Sequence, residues 1–64
     1  MQVNGEQTTL AEPVSVADYL EANGYRPELV AVELDGEIIP RDQRATHLLT
    51  SQSTLEIVQF VQGG

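Results

Sequence analysis

The chain predicts an α+β fold: a mixed sheet of about five strands packed on one short helix, in the order ββαβββ. Three observations predict it. Two β-prone segments are each folded back by a tight-turn pair, Asn4-Gly5 and Asp35-Gly36, the strongest short-range hairpin signals. A single segment, "SVADYLEANG", carries apolar residues at helical spacing. A last alternating stretch, "STLEIVQF", stands a thirteen-residue crossing, 41–53, beyond the second hairpin. That length suits a parallel return to the first strand better than an extension of the hairpin.

The elements follow in order. In "MQVNGEQTTL", Met1 and Val3 alternate with polar residues before the turn, and Pro13 ends the segment that follows it. Ser15 is the expected helix N-cap, with Asp18 three residues on as the short form of a capping box. Val16, Tyr19, Leu20 and Asn23 share one helix face, and the first three are expected to pack inward. Gly24 suits the left-handed stop, and Pro27 prevents continuation. In "LVAVELDGEII", Val30, Val32 and Leu34 alternate with Ala31 and Glu33, and Pro40 closes the strand. "RDQRATHLLTSQS" has no clean period. It reads as a single helical turn and an irregular crossing, with Leu48 and Leu49 plugging the core. In the last strand Leu55 and Ile57 take one face, Val58 and Phe60 the other. This order matches the β-grasp fold.

Sixty-four residues make one domain, which buries only about 60% of its unfolded surface. There is no Cys, so no disulfide or thiolate site supports the core. Ten Asp and Glu face three Arg, for a net charge of −7. Nucleic acid and anionic membranes are therefore excluded as expected partners. A basic protein surface would attract the chain, although the same charge also serves solubility. No apolar run approaches the roughly 20 residues of a membrane span. "MQVNGEQTTL" lacks the charge and apolar stretch of a signal peptide. A cytoplasmic chain, monomeric when free, is expected.

The tail "STLEIVQFVQGG" resembles the ending of ubiquitin. The whole chain more closely resembles the ThiS family, the small sulfur carriers of thiamine biosynthesis. The resemblance rests on Asn4-Gly5-Glu6, on "LVAVELDGEIIPR" against a family pattern "LVAVE-NGEIVPR", and on "EIVQFVQGG" against "EIV-FVGGG". It departs at Asp35, where Asn is usual, at "TSQST", which replaces a Gly-Asp turn, and at Gln62, which replaces the first of three glycines.

The resemblance implies a carrier and not an enzyme. Residues 1–62 would form the β-grasp domain and 63–64 a flexible tail. The α-carboxylate of Gly64 would be the sulfur-carrying group. An adenylating, E1-like enzyme would activate it with ATP, and a persulfide donor would convert it to a thiocarboxylate. A thiazole synthase would take the sulfur. The carrier itself would bind no cofactor. Gly63 and Gln62 would enter the partner's channel, which residues without β-carbons thread most easily. Phe60 and Val58, on the outer face with Ala31 and Glu33, would dock the adenylating enzyme, with Glu33 as a polar rim contact. Arg41 and Arg44 read as partner contacts, tail anchors or local salt bridges. His47 has no carboxylate or Cys at ligand spacing and reads as structural or solvated, so no metal site is expected. Four functions stay open: a carrier for thiazole, a carrier for molybdopterin or another sulfur product, a ubiquitin-like modifier, and a β-grasp binding module with an inert tail.

Overall fold

Two left-handed turns set the frame. Asn4 and Gly5 have φ of 51° and 84°, and Asp35 and Gly36 have 51° and 89°. Both central positions of each turn are left-handed, as the tight hairpin turn requires. Asn and Asp tolerate this region because their short polar side chains bond locally. The first turn joins β1 (Gln2–Val3) to β2 (Glu6–Gln7). The second joins β4 (Val30–Leu34) to β5 (Glu37–Ile38). The computed structural model describes residues 1–60.

The last strand, β7 (Thr54–Gln59), lies between the two hairpins. It pairs in parallel with β1, Val3 opposite Leu55, and antiparallel with β4 from Val30–Gln59 to Leu34–Leu55. The sheet order is β2-β1-β7-β4-β5. This five-stranded mixed sheet with one short helix is the fold the sequence predicts.

Both turn residues also grip β7 through their side chains. Asn4 Oδ1 accepts from the Ile57 amide at 2.7 Å, and Asn4 Nδ2 donates to the Ile57 carbonyl at 3.2 Å. Asp35 Oδ1 accepts from the Thr54 amide at 2.9 Å, while its own amide donates to the Thr54 carbonyl at 2.8 Å. Each turn thus continues the ladder one step past its strand.

The helix α1 (Val16–Ala22) starts and stops where the residues direct it. Ser15 Oγ accepts from the Asp18 amide at 3.0 Å, satisfying one of the free donors of the first turn. At the other end Gly24 has φ of 79°. The Tyr25 amide reaches the Leu20 carbonyl and the Gly24 amide reaches Glu21, the Schellman pattern. Val16 and Leu20 are fully buried against Val32, Leu55 and Leu49, and Tyr19 packs at the border. Seven helical residues are too few to persist alone, so this packing holds the helix.

The crossing differs from expectation in three ways. First, it carries a strand, β6 (Leu48–Leu49), which pairs antiparallel with β3 (Val14–Ser15) in a separate two-stranded sheet. The second strand of the first hairpin already ends at Gln7, well before Pro13, and pairing resumes at the residue after that proline. Second, only Leu49 enters the core. Leu48, 61% exposed, points the opposite way because successive strand residues alternate. Third, Arg44 forms no salt bridge among the described residues. It sits in the 3₁₀ helix Arg41–Thr46 and is buried. Its Nη1 donates to the Pro27 carbonyl at 2.9 Å and its Nη2 to the Val30 carbonyl at 2.7 Å. Burial, and then the neighbouring Arg41 charge, push its pKa down from the ordinary guanidinium value. In "TSQST" buried Ser53 accepts from the Thr50 amide through Oγ at 2.9 Å, while the Ser51 and Ser53 carbonyls accept from the Met1 ammonium at 2.7 Å and the Gln2 amide at 3.0 Å.

Arg44 therefore ties the crossing to the start of β4. Arg44→Ala would leave two carbonyls without their charged donor and is expected to cost about 2–3 kcal/mol. Thermal unfolding should show this as a drop of about 10 °C or more for a domain of this size. Asn4→Ala removes both bonds to Ile57 and places a β-carbon residue at positive φ, for an expected loss of about 1–3 kcal/mol. The urea midpoint measures it, and Asn4→Asp, which keeps the acceptor for the Ile57 amide, should lose less.

Candidate functional site

The sheet has an inner face against α1 and an outer face on which, among the described residues, no element packs. Strand alternation decides which residue goes where. On β7, Leu55 and Ile57 are buried, while Glu56 and Val58 face out. On β4, Val30, Val32 and Leu34 are buried, and Ala31 and Glu33 face out. The register sets Ala31 opposite Val58 and Glu33 opposite Glu56. Ile38 of β5 stands opposite Glu33 and completes the row.

These residues enclose a shallow depression of about 210 Å³, lined by Ala31, Val32, Glu33, Ile38, Glu56 and Val58. Ile38 is 75% exposed and Val58 59%. The two apolar side chains flank the Glu33 and Glu56 row diagonally, Ile38 beyond Glu33 on β5 and Val58 one step along β7 from Glu56. Val58 and Glu33 thus meet on one surface, as expected. Ile38 and Glu56 were not singled out from the sequence. The signal for Ile38 was available: in "EII" on a strand, one of two consecutive Ile must face out.

Phe60, 53% exposed, follows β7, and its amide donates to the Leu29 carbonyl at 2.8 Å. It lines a neighbouring cleft of about 260 Å³ at the end of the sheet, with Gly24, Arg26, Leu29, Val30 and Gln59. The two aromatic-aliphatic docking candidates therefore border different depressions. Arg26 brings a cation to the second one, but shares it with Glu28 at 3.0 Å. The carboxyl pKa of Glu28 is held down by its own backbone amide and then by Arg26. Gln62, Gly63 and Gly64, and with them the boundary of the expected tail, lie outside the described residues.

The other polar candidates are accounted for locally. His47 Nδ1 lies 2.9 Å from the Gln43 carbonyl, which only an Nδ1–H can satisfy. Arg41 is exposed at the start of its 3₁₀ helix. Among the described residues, no group of three or more His, Asp or Glu is placed to hold a metal. No helix among them is long and apolar enough to cross a membrane.

A small β-grasp domain with an exposed apolar sheet face beside its last strand is the class defined so far. The sequence model of the ThiS family matches residues 1–64, and the chain belongs to that family. The crystal structure of the thiamine biosynthesis protein ThiS from Geobacter metallireducens is similar at a TM-score of 0.84 and 32% identity, over 98% of this chain and 96% of that one. The solution structure of a thiamine biosynthesis protein from the same organism gives 0.83 and 32%, over 98% and 85%. Among curated proteins, uncharacterized protein ycf40 of Pyropia yezoensis is 33% identical over all 64 residues, 90% of its own length. Its counterpart from Porphyra purpurea is 28% identical over the same share.

The outward placement of Ile38 and Val58 carries a stability consequence. Truncating either to Ala leaves the inner core intact and is expected to change stability by no more than about 0.5 kcal/mol. Equal melting temperatures for Ile38→Ala, Val58→Ala and the parent chain would check it.

Proposed function

We propose that the chain is a sulfur carrier that donates sulfur for the thiazole ring of thiamine. The observation that carries this reading is the family match over 1–64, a span that includes Gly63 and Gly64. The likeness to proteins of thiamine biosynthesis supports the thiazole product over other sulfur acceptors.

The chemistry begins at the α-carboxylate of Gly64. A carboxylate resists attack because it is anionic and has no good leaving group. An adenylating enzyme joins it to AMP from ATP, and pyrophosphate leaves. A persulfide then displaces AMP, and thiolysis of the S–S bond leaves a thiocarboxylate. A thiazole synthase consumes that sulfur. The carrier's own part is to present the carboxylate and to be released. Gln62, Gly63 and Gly64 enter the partner's channel. Ordering each of these residues costs about 1–2 kcal/mol, which favours release. Val58, Phe60 and Glu33 dock the adenylating enzyme. The family of small carriers is consistent with a protein co-substrate and not an enzyme.

Incubation with ATP and the cognate adenylating enzyme should add the mass of AMP at Gly64. Addition of the sulfur donor should then exchange one oxygen for sulfur there, located by fragmentation from the C-terminus. Deleting Gly63 and Gly64 should abolish both changes while leaving the melting temperature unaltered. A chain found instead in amide linkage to lysine would be a modifier, and one never adenylated would be a binding module.

A further inference from the structure

The outer face holds a cross-strand pair of like charges. Glu33 and Glu56 stand directly opposite each other on β4 and β7, and both line the depression between Ile38 and Val58. Such partners have β-carbons about 5 Å apart, and like charges there are destabilising. No cation on this sheet relieves them, because its five strands contain neither Arg nor Lys. The three cations of the chain lie elsewhere: Arg26 is committed to Glu28, Arg44 to two backbone carbonyls, and Arg41 belongs to the crossing.

A second copy of this chain is a poor occupant for the face. It would bring its own Glu pair and a net charge of −7. The exposed Ile38 and Val58, with half-buried Ala31 beside them, call for apolar cover, and the paired carboxylates call for a cation at the same point. We propose that this depression seats a guanidinium of a partner protein, bridging Glu33 and Glu56, with apolar side chains of that partner packed on either side of it, against Ile38 and against Val58. A planar fork of donors meets two carboxylates at once, whereas an ammonium meets them as a point charge. The inference rests on the carrier reading, in which the partner is the adenylating enzyme, and it supplies the chemistry of that enzyme's docking surface. It also assigns two docking residues, Ile38 and Glu56, to the carrier.

The test measures binding of the full-length chain to the purified cognate adenylating enzyme, alongside thermal unfolding. Glu33→Gln and Glu56→Gln should each weaken binding by about tenfold or more and flatten its salt dependence. The same variants should melt at the parent temperature or above it, because the repulsion is relieved. That opposition separates an interface role from a structural one, which would lower both. Ile38→Ala should weaken binding with no change in melting. Unchanged affinity in both Gln variants would overturn the inference while adenylation of the parent chain leaves the carrier reading standing. Backbone resonances of Glu33, Ile38 and Glu56 that shift with concentration of the chain alone would assign the face to a second copy and overturn it as well. An enzyme that neither binds nor adenylates the parent chain would remove the carrier reading and this inference together.

Discussion

Every other feature of the domain depends on how β7 is held. It is the last strand in sequence and the middle strand in space, so no hairpin places it. It must find its register between two segments formed earlier in the chain. Burial of Leu55 and Ile57 sets the face, since a one-residue slip would turn both toward water. Asn4 and Asp35 set the position along the strand. Each occupies a left-handed turn site that few residues tolerate, and each spends its side chain on β7 backbone. The positive φ and the side-chain bond are thus one requirement, which accounts for Asp35 serving where the family pattern has Asn.

The thirteen-residue crossing is the part that a domain of this size must order most carefully. It has few apolar residues and returns the chain from one sheet edge to the centre. Three contacts hold it: Leu49 in the core, the short pairing of β6 with β3, and the Arg44 guanidinium on the Pro27 and Val30 carbonyls. The last is a charge spent on backbone. It satisfies acceptors at the junction of the short 3₁₀ turn Pro27–Leu29 and β4, where neither helix nor sheet supplies donors.

The sheet order, the helix limits and the inward-facing residues were legible because each rests on local chemistry: turn pairs, a Ser cap, a Gly stop, strict alternation. What was hidden depended on partners distant in sequence. Nothing near Arg44 reveals that two carbonyls await it from fourteen and seventeen residues upstream. The β3–β6 pair is two residues long on each side and leaves no pattern to read. The pairs Leu48-Leu49 and Ile38-Ile39 are different. Alternation alone sends one member of each outward, and that rule would have placed Leu48 in solvent and Ile38 on the outer face. The opposition of Glu33 and Glu56 needed the register, which only the paired strands supply.

The direction in which β7 is loaded follows from its pairing. A pull on residue 60 acts along the strand axis, past β4 on one side and β1 on the other. The ladder bonds lie across that direction, so they resist together and do not open one after another. Asp35 adds a pin at the far end, on Thr54, Asn4 adds one within the strand, on Ile57, and the Phe60 amide adds one at the near end. Tension applied at residue 60 is thereby spread over the central strand before it reaches the core.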